Sequence, residues 1–317
     1  MIWQLFKLVY GSIPHFIKAL LKHPILFIKE SRESRRRAHE LLPATHELSY
    51  DIPVFEEGMP HCQSRDIYYR PTYFCESDAP EIIAMANKLG AFRKSDREYA
   101  EACFDFVKKN IEFTFLQPLG GAVKTLRVGR GICMDNVNLF MALCRAGNIP
   151  ARYKIYNEAF VSAAYELFTS GSPIVKDWYN SSGYFIMHTS CEALVDQEWL
   201  VGEFVLPTEL EVGLGLPLSR LGDDASGAWC YRIRESTVRF ESLPRVIAIG
   251  MSLAIRLMSG LFMGIQLRVL EKMEEGKKIL EEIGEDEYNR RVKETYTAVL
   301  PDVSVKLFKA MEMVQEK

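Results

Sequence analysis

Val128-Gly-Arg-Gly-Ile-Cys-Met-Asp-Asn-Val-Asn-Leu-Phe-Met-Ala-Leu-Cys-Arg-Ala-Gly-Asn-Ile-Pro-Ala-Arg152 is the stretch that decides the fold. Gly129 and Gly131 make a loop that can turn tightly and let another backbone approach. Cys133 follows where a helix begins. Val137, Phe140, Met141 and Cys144 fall at i, i+3, i+4 and i+7, one apolar helical face. Cys133 sits four residues before Val137, at the amino-terminal end of that stripe. Gly147 and Pro150 are stop signals, and Ala151–Tyr156 can leave as a strand. A thiol at a helix amino terminus feels the positive end of the macrodipole and ionises more easily, which is the setting of a cysteine nucleophile.

The flanking chain supports a helical approach to this segment. Ile82, Ile83, Met85, Ala86 and Leu89 predict a short helix ending at Gly90. Ser95 with Glu98 three residues on is a capping box for a second helix, apolar at Tyr99, Ala102, Cys103, Phe106, Val107 and Ile111. Residues 79–112, followed by Gly131-Ile-Cys-Met-Asp and Leu139-Phe-Met-Ala-Leu-Cys-Arg-Ala, resemble the transglutaminase-like superfamily. There a G-x-C-x-D segment opens the central helix and G-I-P-A-R closes it; here Asn148 is inserted between Gly147 and Ile149. The resemblance covers roughly residues 79–210. It implies an α+β, papain-like core, with a central cysteine-bearing helix packed on an antiparallel sheet. It also implies Cys133 as nucleophile, a histidine on a following strand as base, and an acid on the next strand to orient it.

His188 is the sole histidine after Cys133, in Tyr184-Phe-Ile-Met-His-Thr-Ser-Cys-Glu-Ala-Leu-Val195. The next strand reads Trp199-Leu-Val-Gly-Glu-Phe-Val-Leu206. The family pattern falls on His188, Glu192, Trp199 and Glu203, with Glu203 where Asp is usual. Alternation puts His188 and Glu203 on one face only if paired residue numbers sum to an odd value. A two-residue turn at Asp196-Gln197 makes the sum 393. Glu203 then lies diagonal to His188, ~7–8 Å between backbones and within reach of a long side chain. Glu192 is ~13 Å along the strand and Asp196 ~26 Å. The oxyanion of an attacked carbonyl would meet the Cys133 N–H and a second donor, Gln117 or an N–H of the 118–130 loop. Asp135 reads as a first-turn helix stabiliser and Arg152 as a structural ion-pair residue.

Composition sets outer bounds. The 317 residues are 48% hydrophobic and 26% charged, a folded chain. Seven cysteines without paired spacing argue against a disulfide framework and for a reducing, cytoplasmic setting. No spacing calls for a metal or cofactor, His61-Cys62 and Cys75 reading as packing residues, and no nucleic-acid partner is expected. Net charge is −3, yet residues 1–37 carry eight Lys/Arg against Glu30 and Glu33. That is a local +6, leaving −9 on the rest. A basic end on an acidic body suits an anionic partner such as a membrane surface, or is a solvated helix face.

We divide the chain into a basic helical arm and irregular lead-in (1–78), a catalytic core (79–215) and a helical carboxy-terminal region (216–317). Pro14 and Pro24 cut the arm's apolar stripe, predicting two short helices, either packed on the body or lying at a membrane interface. A short strand is expected near Asp66–Tyr69. Phe160–Phe168 predicts a helix before the Gly171-Ser-Pro173 break, either overhanging the cleft or packed on the surface. Gly222–Gly227 reads as a linker. Residues 246–267 carry one charge, Arg256, and predict a buried helix, with membrane contact as the other reading.

The expected substrate is a peptide, protein or other amide-bearing molecule, cleaved (peptidase, amidase) or transferred to an amine (transglutaminase, acyltransferase). An arylamine-type acetyltransferase shares the logic but fits Leu139–Arg152 less well. The non-enzymatic alternative is a transglutaminase-like scaffold kept for binding, with the helical ends, residues 1–37 or 246–267, as membrane or partner surfaces.

Overall fold

The computed structural model describes residues 2–41, 47–117, 119–233 and 236–310. Pro14 and Pro24 each fall in the first turn of a helix, where proline's missing N–H costs nothing. The arm is therefore three helices and not two: α1 (Ile2–Tyr10), α2 (Ile13–Lys22) and α3 (Pro24–Leu41). The described lead-in, 47–79, holds no helix or strand. The strand expected near Asp66–Tyr69 is a turn, with the N–H groups of Tyr69 and Arg70 both donating to the Asp66 carbonyl. Next come α4 (Pro80–Leu89), ended by Gly90 at φ 109°, and α5 (Asp96–Asn110), started by the Ser95–Glu98 capping box. A parallel pair, β1 (Glu112–Phe113) and β2 (Arg130–Gly131), flanks α6 (Ala122–Val128).

α7 (Cys133–Ala146) is the hub, buried on every side from Met134 to Ala146. The expected stripe of Val137, Phe140, Met141 and Cys144 is fully enclosed. So is Arg145, whose guanidinium donates to the carbonyls of Ala151, Arg70 and Glu241, so its charge is solvated by peptide groups in place of water. Gly147 follows the helix where the Tyr99 ring occupies the space a Cβ would need, and Asn148 takes the left-handed conformation, φ 70°.

β3 (Ala151–Phe160), α8 (Ser162–Ser170), α9 (Pro173–Ser182), β4 (Phe185–Val195) and β5 (Glu198–Gly202) follow, then α10 (Thr208–Gly213), β6 (Cys230–Arg232) and β7 (Val238–Phe240). The sheet runs β5-β4-β3-β6, with β7 also on β3, all antiparallel. It thus takes two strands from beyond residue 215. Asp196 and Gln197 turn the β4–β5 hairpin with φ 51° and 67°, and Cys191 opposes Gly202 as Leu194 opposes Trp199. The pairs sum to 393, the register that the two-residue turn requires. Helices α8 and α9 are packed, burying Phe160, Leu167, Phe168, Ile174, Trp178 and Tyr179 in a second apolar cluster.

The last helices are α11 (Arg245–Ile283), α12 (Glu285–Thr295) and α13 (Asp302–Ala310). α11 buries Leu261, Phe262, Met263, Ile265 and Val269 but starts with Val246, Ile249 and Leu253 exposed. Among the described residues no helix is long and apolar enough to cross a membrane. Gly264 meets the backbone of Gly171, and Gly276 meets the backbone of Glu209 and Gly213.

Alanine in place of a mid-helix glycine ordinarily gains ~0.5–1 kcal/mol. At Gly276 the added Cβ meets the Glu209 carbonyl, main chain that cannot swing aside. Gly276→Ala is therefore expected to lose about 1–3 kcal/mol in a denaturant titration; a gain would mean that α10 and α11 do not touch there.

Candidate active site

The first turn of α7 is tied to the loop before it. Asp135 reaches back to accept the Ile132 N–H at 3.1 Å through Oδ2 and the Gly120 N–H at 2.7 Å through Oδ1. Asn138 donates to the Gly120 carbonyl at 3.0 Å and accepts from the Tyr153 hydroxyl. The two glycines ahead of Cys133 have separate reasons. Gly129 caps α6 at φ 69°, and Gly131 leaves room for Asp135. Burial pushes the Asp135 carboxyl up to about 7, against the pull of the two N–H groups. Cys133 is the first helical residue, half-buried; of the seven free cysteines only it and Cys62 are not fully buried.

His188 lies opposite Tyr156, at the point where the β3–β4 register slips. Tyr156 pairs with His188, but Glu158 pairs with Phe185; the slack is taken up at Met187, φ 59°, whose N–H donates to Asn157 Oδ1 at 3.2 Å. This bulge re-aims the neighbouring side chains. His188 Nε2 is 2.8 Å from Glu203 Oε2 and its Nδ1 is 3.0 Å from Glu158 Oε2. Only the first contact has hydrogen-bond alignment. The imidazole sits 4.5 Å from the Tyr156 ring and 5.1 Å from that of Trp229. His188, Glu158 and Glu203 are all buried.

Burial disfavours the imidazolium, but the carboxylates of Glu203 and Glu158 outweigh it and raise His188 to about 10. Cys133 moves the opposite way from the sequence expectation. Burial, then the charges of Glu203, Glu158 and Asp135, push its thiol up to about 12, with the Met134 N–H pulling down. Solvent at this half-covered thiol screens part of that rise. Cys133 packs on the cluster that contains Tyr156 and Trp229, but among the described residues no hydrogen bond joins it to His188. Tyr156 Oη and Trp229 Nε1 are buried at this spot without hydrogen-bond partners, while Glu158 Oε2 and His188 Nδ1 meet each other as an ion pair whose hydrogen-bond alignment is poor. Such a cluster is set to receive polar groups from outside the chain.

Gln117 is half-buried in the loop after β1. Glu192 belongs elsewhere. It accepts from Arg152 at 2.7 Å and Arg239 at 2.9 Å, and Arg152 stacks on Trp199 at 3.7 Å, a structural ion-pair cluster. Sequence reasoning missed Glu158, Tyr156 and Trp229. Glu158 left no distinguishing signal, because Arg152 and Lys154 put charges in the same strand. Trp229 left none, because it follows the segment that reads as a linker.

Residues 83–201 match the model of the transglutaminase-like superfamily. The core of this chain is transglutaminase-like. A solved structure described as "a putative cysteine protease" from Cytophaga hutchinsonii is similar at 20% identity and TM-score 0.34, over 55% of this chain and 50% of that one. The match thus spans about half of that relative, and says nothing of this chain's substrate. No curated protein matches.

The raised His188 predicts a pH signature in stability. A group bound more tightly to its proton in the folded state stabilises fully below its unfolded value, ~6.5, and loses that contribution as pH climbs through about 10. Between those limits the parent's denaturation midpoint is expected to fall more steeply than that of His188→Gln. Parallel curves would mean that His188 is not held as a cation.

Proposed function

We propose that this chain is a thiol enzyme acting on amide bonds through Cys133, His188 and Glu203. The observation that carries it is the buried 2.8 Å contact of Glu203 with His188 Nε2, beside a half-buried cysteine at a helix amino terminus. The same histidine turns Nδ1 to Glu158 in an ion pair without an aligned hydrogen bond, so its proton can pass to a better-placed acceptor.

The chemistry starts when the Cys133–His188 pair has lost one proton and the proton that remains sits on the ring, as thiolate and imidazolium. The thiolate adds to the carbonyl carbon of an amide. The oxyanion takes the Cys133 N–H, one of the first-turn donors a helix leaves unused, and the Gln117 carboxamide. His188 protonates the leaving amine from Nδ1 as the C–N bond breaks, giving a thioester. A water or amine, deprotonated by the now neutral His188, displaces the thiol. Water makes the reaction hydrolysis, an amine makes it acyl transfer, and peptide or protein amides are the substrates. Glu203 orients the ring, and Glu158 sets its charge.

Because the pair's first proton leaves near 10, activity is expected to rise from neutral toward alkaline pH. Glu158→Gln removes one carboxylate from both groups and is expected to shift that profile toward neutrality, raising the rate at neutral pH. Cys133→Ala abolishes turnover, His188→Gln lowers it by ~10²–10⁴-fold, and Glu203→Gln by ~10–100-fold. Peptide-amide hydrolysis and amine incorporation, followed across pH, check all four.

One observation favours a second reading, the catalytically silent scaffold. Glu158 stands on the Nδ1 side of His188, and Cys133 has no hydrogen bond to that ring. Absence of turnover at every pH, with Cys133 alkylated no faster in the parent than in His188→Gln, decides for it. Cys62 in the same molecule is the internal comparison for that alkylation.

A further inference from the structure

The amino-terminal arm has two apolar faces and only one is covered. Leu8, Ser12 and Ala19 are buried against the body; Ser12 accepts from the Trp178 indole at 2.7 Å, the Leu8 carbonyl accepts from Asn157 at 2.9 Å, and Phe16 packs on Trp178 at 5.0 Å. The arm is thus docked, and the other face should be polar. It is not. Trp3, Phe6, Tyr10, Ile13, Ile17, Leu21, Ile25 and Ile28 are between 39% and 81% exposed. Their spacing steps by three and four residues throughout, through the breaks at Gly11-Ser12 and at His23, so this is one stripe and not scattered side chains.

We propose that this stripe docks the protein in the plane of an anionic lipid surface, without crossing it. Charge selects the partner. Lys18, Lys29, Arg32 and Arg36 are exposed on these helices and Lys22 pairs with Asp177 at 2.7 Å, whereas Glu30 and Glu33 are half-buried and Glu40 is exposed near the end of α3. The open face of α3 repeats the pattern, with Ile25 and Ile28 beside Lys29, Arg32, Glu33 and Arg36. Apolar side chains flanked by cations fit the boundary between acyl chains and phosphate headgroups. The aromatic start, with Trp3 and Phe6 stacked at 5.5 Å and Phe6 beside Tyr10 at 5.3 Å, suits the headgroup boundary. The exposed cations Arg32 and Arg36 on α3 would repel the same cations of a second copy.

The test is flotation of the full chain with vesicles of phosphatidylglycerol and phosphatidylcholine, and of phosphatidylcholine alone. The parent is expected to float with the mixed vesicles, to be released by salt, and to ignore phosphatidylcholine. Ile17→Gln/Leu21→Gln/Ile25→Gln and Lys18→Glu/Lys29→Glu/Arg32→Glu are each expected to weaken binding at least ~10-fold. All six positions are exposed, and an unchanged denaturation midpoint confirms folding. No binding by the parent, or equal binding by the glutamine variant, overturns the proposal. So does a parent that ignores vesicles but self-associates through these isoleucines, which makes the occupant a second copy. Cys133→Ala should bind vesicles as the parent does, so a failure here reads out separately from a failure of the thiol chemistry.

Discussion

Three ionisable groups share one buried spot, and the site's behaviour follows from how they are kept there. Glu158 and Glu203 lie on opposite sides of the His188 ring, each within 3.0 Å of a nitrogen. A buried carboxylate is tolerable only when paired, and a single imidazolium serves two. The arrangement therefore holds the proton on histidine and leaves an excess of negative charge for whatever stands next to it. Cys133 stands there, and its thiol pays in a raised pKa. The ring is also walled by Tyr156 and Trp229, which keep water from screening the three charges.

That spot is rigid because its parts hang from elements that are themselves cross-braced. α7 is fixed by its own burial and by Arg145 gathering three backbone carbonyls. The loop facing its first turn is held at two points. Asp135 and Asn138 grip Gly120, while Gln266 on α11 accepts the Phe115 N–H at 2.9 Å and Phe262 stacks on Phe115 at 5.4 Å. α11 is thus more than an appendage, since the loop that carries Gln117 leans on it. Its glycines make the contact possible: Gly264 and Gly276 let the helix lie directly on the backbone of Gly171 and of Glu209.

How much of this was legible depended on whether the signal was local. The α7 stripe and the Ser95 cap are short-range patterns, and both stand as the sequence predicts. The His188–Glu203 contact was legible too, because one turn of two residues sets the parity of a whole hairpin. Glu158 was not, since it comes to His188 through a register slip between Tyr156 and Glu158, and no pattern in the strand announces a bulge. Trp229 arrives from a Gly-Asp-rich segment whose composition says loop, but whose Asp224 pairs with Lys154 at 2.5 Å and so pins it to the sheet. The arm showed its apolar stripe plainly, but which side the body would cover is a matter of tertiary contact. Here the body covered one side and left the other open.

The expectation that a helix terminus would ionise Cys133 fails on magnitude. A macrodipole offers ~0.3–1 kcal/mol at an exposed site and ~2 in a favourable buried one, at most about one and a half pKa units. Against it stand desolvation and the carboxylates of Glu203, Glu158 and Asp135, the first two balanced locally only through His188 and the third by two N–H groups and Lys124. In a low-dielectric pocket each such charge rivals the dipole by itself. The cation that can offset them is therefore the imidazolium, not the helix. It follows that the reactive state of this site is set by the proton count of Cys133 and His188 together, with Glu158 as the group that biases it. A polar ligand that satisfies Glu158 Oε2 would relieve that bias, freeing His188 from one of its two anions and lowering the cost of the thiolate. Under the thiol chemistry proposed above, the buried polar atoms around the ring are where substrate binding and thiol activation would be coupled.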